Sequence, residues 1–261
     1  MFGIFNKPHA DPTALPMAVS PWPITIIVTA YLLFVLKLGR QYMSKRAAFQ
    51  LRGILQVYNV VQIIFNALLF IAVAYEVFVL RPYKLSCMTV LPMDHALKHF
   101  DRLIAYAYYI NKVLDLLDTI FIVLRKSYKQ ISVLHLVHHV YMASFSYICI
   151  RLHGYGGHLI ITTLFNVMVH VLMYSYYYLC AQNPQFKQSI GWKKYITLVQ
   201  MAQLLTIFGH SAWTAMQPDC EVSRYVIWLV LVMSMAIFLM FTNFYMHAYI
   251  LPKRKPLERR M

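Results

Sequence analysis

The sequence predicts an all-α polytopic membrane protein with seven transmembrane helices. Three observations carry that prediction. The chain of 261 residues is 60% hydrophobic and only 13% charged, about half the charge fraction of an ordinary soluble domain. Its apolar residues gather in runs close to the ~20 residues that cross a bilayer as a helix. Its charges fall almost entirely between those runs.

Residues 1–22 read as a polar, non-cytosolic leader that is not cleaved. They lack a basic stretch followed by an apolar core and a small-residue cleavage site, and their prolines disfavour helix. The helical domain spans 23–250. Its apolar segments cover roughly 23–39, 56–80, 103–124, 131–150, 159–180, 195–216 and 224–250, and a basic tail, 251–261, follows.

Charge sets the orientation. The first, third and fifth connections and the tail hold sixteen of the 24 Lys and Arg, among them Lys126, Lys129, Lys187, Lys193 and Lys194. The opposite set holds seven, with five of the nine acids. The positive-inside rule then puts the C-terminus in the cytosol and the N-terminus across the membrane. The net charge of +15 is thereby assigned to short loops at one membrane face, which argues against a nucleic-acid partner. Cys87 and Cys220 both fall in loops on the far side, where a disulfide persists, and are expected to pair. Cys149 and Cys180 lie within segments and read as small buried residues.

Ionisable residues inside membrane segments are costly and mark functional sites by default. The third segment contains Lys112, Asp115, Asp118 and Thr119, with the charged residues three apart on one broad helical face. The alternative is an ion-pair cluster that only fixes packing. The fourth carries His135, His138 and His139, with His138 and His139 each one turn from His135. In the fifth, Asn166 lies four residues before His170 and Tyr174 four after it, a spacing that lets the amide orient the imidazole; Tyr177 follows. The sixth opens with Thr197, Gln200 and Gln203, which serve equally well as interhelical hydrogen-bonding residues or as substrate contacts. At 1.5 Å per residue all four sets lie roughly 8 to 15 Å from the basic face. A single buried site explains that common depth.

The H-x-x-H-H pattern at His135–His139 fits either a metal centre or metal-free catalysis. His95 and His99 add a second histidine pair, as in membrane di-iron desaturases and hydroxylases. However, they sit in a far-side loop, and no second H-x-x-H-H exists. Without a metal, imidazole acts as nucleophile or general base near neutral pH. The substrate must then reach ~10 Å into the bilayer while its polar head stays among basic loops. A fatty acyl thioester of coenzyme A meets that requirement, its phosphates lying near Lys126, Lys129, Lys187, Lys193 or Lys194. Seven spans in this orientation also match a receptor, but the third segment ends VLRK and the seventh reads NFYMH, without the receptor signatures.

Taken in order, KVLDLLDT, LHLVHH, NVMVHVLMYSYY and TLVQMAQ resemble the four signatures of the very-long-chain fatty acid elongases, the ELO family. The match runs from about residue 112 to residue 203. Asp115 stands where many members have Glu, and the tail ends ERRM without a dilysine signal. The resemblance implies six of seven helices forming a barrel-like bundle around an acyl tunnel closed on the lumenal side of the endoplasmic reticulum. It implies condensation of malonyl-CoA with a long acyl-CoA to a 3-ketoacyl-CoA two carbons longer, with release of carbon dioxide and coenzyme A. No cofactor or metal is implied. Partners would be the two CoA substrates, membrane lipid and the reductase, dehydratase and second reductase of the cycle; homo-oligomerisation stays open. On this reading His138 is the nucleophile in place of a condensing cysteine, and His170 polarises the malonyl group. His135 and His139 orient the site with Asp115 and Asp118, while Lys112, Asn166, Tyr174, Tyr177, Gln200 and Gln203 contact substrate.

Overall fold

A computed structural model of the chain describes residues 9–13, 15–183, 185, 186 and 190–251. Among these residues the regular structure is helical, and five helices are long and apolar enough to cross a membrane. They are α1 (Pro21–Ser44), α2 (Arg52–Leu80), α5 (Val133–His153), α6 (Leu159–Gln182) and α8 (Arg224–Ile250). The third span is built from two pieces, α3 (Lys98–Leu114) and α4 (Leu116–Leu124). The sixth is α7 (Ile190–Ala215). The protein is a multi-pass membrane protein. Lys187 and the basic tail lie outside the described residues.

Two boundaries are made finer. Helix α1 begins at Pro21, two residues before the rough start at 23, because the first turn needs no amide donors and tolerates Pro21 and Pro23. Ser20 caps it, its hydroxyl accepting from the Trp22 N–H at 3.3 Å. The third span does not run straight from 103 to 124. It breaks at Asp115, where the Asp118 N–H bonds the Asp115 carbonyl at 3.2 Å, one residue short of the α-helical register.

Six spans close into a ring. Neighbours pack in the order α2, α6, α7, α8, α5 and the α3–α4 pair, which returns to α2. Helix α1 stands outside against α4 and α5. Helix α2 shows why the ring has a polar level: Asn59, Gln62, Asn66, Leu69 and Val73 are its buried stripe. That alternation of three and four residues is one helix face, polar in its first half and apolar in its second.

The two ends of the ring differ. At the end opposite the basic loops, Cys87 and Cys220 are joined by a disulfide with Cα atoms 5.5 Å apart. There the turn between α5 and α6 contains Gly154, Gly156 and Gly157, all at positive φ.

Candidate active site

The centre of the site is a buried ion pair. Lys112 Nζ donates to Asp115 Oδ2 at 2.7 Å and to Asn166 Oδ1 at 2.9 Å, and both ion-pair side chains are at most 3% exposed. The Asp115 carboxylate is fully engaged. Its Oδ1 accepts from Gln62 Nε2 at 3.0 Å and lies 3.0 Å from the Tyr174 hydroxyl oxygen. Its Oδ2 also lies 3.5 Å from His170 Nδ1. Four partners from α2, α3 and α6 thus converge on one carboxylate at the α3–α4 break. A buried charge pair is tolerated only when its remaining lone pairs are satisfied, and here they are.

Tyr174 links the second acid. Its hydroxyl is 2.6 Å from Asp118 Oδ2 as well as 3.0 Å from Asp115 Oδ1. It carries one hydrogen, so the shorter contact to Asp118 is the stronger of the two. Lys112 Nζ is 3.4 Å and 3.5 Å from the two nitrogens of His170. Near-equal distances mean that it points along neither nitrogen's lone pair, so this contact is electrostatic more than a hydrogen bond.

The histidine helix α5 meets this cluster from the other side. Ser132 caps it by accepting from the His135 N–H at 3.1 Å. His135 Nε2 is 2.8 Å from Thr119 Oγ1, and the Tyr31 hydroxyl donates to Thr119 at 2.8 Å. Thr119 thus joins Tyr31 and His135 in one hydrogen-bonded chain. The rings of His135 and His139 lie 4.4 Å apart, and those of His138 and His139 5.8 Å apart at 87°.

His138 is the member turned toward open space. With Asn166 and Gln203 it lines a cavity between α5, α6, α7 and α8 whose other walls include Met142, Phe145 and Ile237. Its Nδ1 is buried without a hydrogen-bond partner among the described residues. Asn166 belongs to both structures: its carbonyl holds Lys112 while its side chain borders the cavity.

The geometry revises several expectations. Asn166 Oδ1 is taken by Lys112, so the amide acts on His170 through the lysine and not by a direct bond. Lys112 and Tyr174 are buried in the network, where they hold Asp115 and Asp118, and neither is among the residues lining the cavity. Tyr177 lies 42% exposed on the outer face of α6, touching the site only through an edge contact with the Tyr174 ring. Gln203 reaches the cavity, whereas Gln200 donates weakly to Met173 Sδ at 3.8 Å. Among the basic-loop lysines, Lys129 is exposed and Lys126, Lys193 and Lys194 are half-buried. His95 belongs to the turn that opens α3, its Nδ1 accepting from the Leu97 N–H at 3.1 Å. Among the described residues no three His, Cys, Asp or Glu side chains are arranged to hold a metal ion.

Sequence reasoning missed the contribution of α2. Gln62 Nε2 bonds Asp115, Asn66 Nδ2 is 3.2 Å from Gln62 Oε1, and Asn111 Nδ2 donates to Asn66 Oδ1 at 2.8 Å. The signal was present as N-x-x-Q-x-x-x-N at 59–66, three amides on one face of an apolar segment.

An intramembrane helical ring with a buried Lys–Asp–Asn–His cluster beside an unbonded histidine defines a multi-pass membrane enzyme. The chain belongs to the ELO family, described as the GNS1/SUR4 family, which matches residues 16–257. It is 43% identical over 245 residues to very long chain fatty acid elongase F of Drosophila melanogaster, covering 94% of this chain and 95% of that one. It is 34% identical to very long chain fatty acid elongase 4 of Homo sapiens, over 92% of this chain and 75% of the relative. Very long chain fatty acid elongase 7 of Drosophila melanogaster is 33% identical, over 94% and 74%. Family membership places the chain among the membrane enzymes of fatty acid elongation.

Proposed function

We propose that the chain catalyses the condensing step of very-long-chain fatty acid elongation, joining malonyl-CoA to a long acyl-CoA. The observation that carries this reading is the position of His138, with a bare buried Nδ1 at the wall of an apolar cavity and the Lys112–Asp115–Asn166–His170 cluster behind it. The names of the relatives support the substrate class.

The acyl chain enters the cavity and brings its thioester carbonyl to His138. The imidazole nitrogen forms a bond to the carbonyl carbon, the carbon–sulfur bond breaks, and coenzyme A leaves as the thiol after taking up a proton. Malonyl-CoA then binds against His170. Loss of its carboxylate as carbon dioxide leaves an enolate, whose negative oxygen is stabilised by His170 and by the positive charge of Lys112. The enolate carbon attacks the acyl-imidazole carbonyl, the carbon–nitrogen bond breaks, and the imidazole takes up a proton from water, giving the 3-ketoacyl-CoA and freeing neutral His138. Asp115 and Asp118 fix Lys112 and Tyr174; His135 and His139 hold the ring set in place. No cofactor enters the balance.

In this reading the basic loops face the cytosol and receive both CoA groups, through Lys126, Lys129, Lys187, Lys193 and Lys194. The disulfide end faces the lumen of the endoplasmic reticulum, an oxidising compartment in which a disulfide persists. A 3-ketoacyl reductase, a dehydratase and an enoyl reductase take the product onward. Membranes carrying the chain should move labelled malonyl carbon into 3-ketoacyl products from a long acyl-CoA, and membranes carrying His138→Ala should not. Labelled product of equal yield from the His138→Ala protein would overturn the assignment.

A further inference from the structure

The cavity at His138 adjoins a second chamber toward the disulfide end. The two share Met142, Phe145 and Thr162 as lining. The second chamber is lined by Ala105, Ser146 and Cys149 together with Tyr108 and Ile150, and Gly154 and Gly156 border it toward the disulfide end. From His138 to the end of α5 at Gly154 the helix rises about 24 Å, against a hydrocarbon core of ~30 Å. An acyl chain held at His138 and filling both chambers would run through most of the bilayer, well beyond the depth of one leaflet.

Toward the disulfide end the wall of this space combines the side chains of Ile150 and Leu159 with the bare backbone of Gly154 and Gly156. Gly154 and Gly156 present backbone, and a Cβ on Gly156 would fall on the Asp101 carboxylate. Where that wall is bare glycine backbone, its firmness depends on the layer behind. Behind Gly154 that layer is Val90 together with Ala10 and Asp11 of the leader, all within 3.8 Å of where a Cβ would stand. The leader is fastened there: the Ala10 N–H bonds the Arg151 carbonyl at 3.3 Å. Asp11 Oδ2 accepts from Arg102 Nε at 2.8 Å and lies 3.7 Å from Lys98 Nζ. Farther along, the Tyr106 hydroxyl donates to the Pro16 carbonyl at 2.9 Å and that of Tyr109 to Met17 at 3.2 Å. Asp11 is 3% exposed, and its two cationic partners belong to α3, a wall of the chamber.

The geometry points to the leader as the stop of the acyl cavity: Asp11, latched to Arg102 and Lys98, holds Ala10–Asp11 behind the glycine turn and so sets the longest acyl chain the enzyme makes. This rests on the reading that the cavity holds the acyl chain. Asp11 and Arg102 act as positioning residues, since neither lines the cavity.

The test uses the full chain in membranes, with labelled malonyl-CoA and a ladder of acyl-CoA primers in two-carbon steps. The readout is the longest primer still extended and the rate on the shortest good primer. Asp11→Ala and Arg102→Gln release the latch from opposite sides. Each should raise the longest accepted primer by at least one two-carbon step and leave the rate on the shortest within about twofold. Ser146→Phe fills the second chamber and should lower the ceiling. A ceiling unchanged in both latch variants, or an equal loss on every primer, overturns the leader's role. If Ser146→Phe also leaves the ceiling unchanged, the acyl assignment of the cavity fails too. If Asp11→Ala does not fold, Arg102→Gln alone decides.

Discussion

The Lys112 ammonium and the Asp115 carboxylate meet at 2.7 Å in the middle of the helical ring, three residues apart across the break between α3 and α4. Everything else in the site is arranged around that pair. Gln62 comes to it from α2, Asn166, His170 and Tyr174 from α6, and the cavity wall at His138 is one residue away through Asn166.

Lys112→Met should therefore be the most damaging change in the network. Removing one partner strands a buried carboxylate, a loss of about 3–5 kcal/mol. The double variant Lys112→Met, Asp115→Asn should recover part of the stability and none of the activity. Thermal unfolding of both proteins in one detergent checks this; equal stability of the single and double variants would contradict it.

Tyr174 and Gln203 should separate kinetically. Tyr174 touches Asp115 and Asp118 and not the cavity, so Tyr174→Phe loses a charge-assisted hydrogen bond worth ~1.5–3 kcal/mol. If that loss falls on the transition state, kcat drops roughly tenfold to a hundredfold with KM little changed. Gln203 borders the cavity, and Gln203→Ala should move KM for the acyl-CoA instead. Steady-state kinetics on both variants reads the split, and the reverse pattern would refute it.

Thr119 links the Tyr31 hydroxyl to His135. Thr119→Val removes the link and leaves His135 Nε2 without this partner, while Thr119→Ser keeps it. The valine variant should lose roughly tenfold in kcat, about 1.4 kcal/mol, and the serine variant should stay near the parent. Equal losses in both would show that only the shape of residue 119 matters.

The Asp11 latch should be insensitive to pH in the working range. Burial alone would raise this carboxyl, but the Arg102 bond and the Thr13 N–H hold it below its ordinary value of 3.8. A carboxyl with a depressed folded pKa contributes stability above its unfolded pKa, and that contribution is lost only as pH falls through the lower folded value. The longest accepted primer should thus be the same across about pH 7 to 8, above the range near 6 in which the buried Asp101 carboxyl, 4.0 Å from Lys98, takes up a proton. A ceiling that lengthens as the medium is acidified toward the lower limit would contradict the assignment.

What the sequence revealed followed from cost. A lysine, two aspartates and four histidines in apolar helices are too expensive to be incidental. Their helical spacing also placed Lys112 against Asp115, as the 2.7 Å contact has it. Neutral amides cost less, and those of α2 stand outside the 112–203 stretch of the four signatures, so nothing drew attention to Gln62 and Asn66. The break at Asp115 had no proline or glycine to announce it; its cause is tertiary, four groups from three helices drawing one carboxylate inward. The leader's packing was equally hidden, since Asp11 becomes a latch only once α3 brings Lys98 and Arg102 beneath it.

The central claim is that His138 carries the acyl group, and the most direct measurement omits malonyl-CoA altogether. Purified enzyme is mixed with a long acyl-CoA alone, and free coenzyme A is followed together with the mass of the protein. The account predicts a burst of one coenzyme A per enzyme, a mass gain of one acyl group mapping to His138, and neither with His138→Ala. Full condensing activity with no burst and no acylated protein would contradict it, leaving His138 as a general base in a complex with both substrates bound.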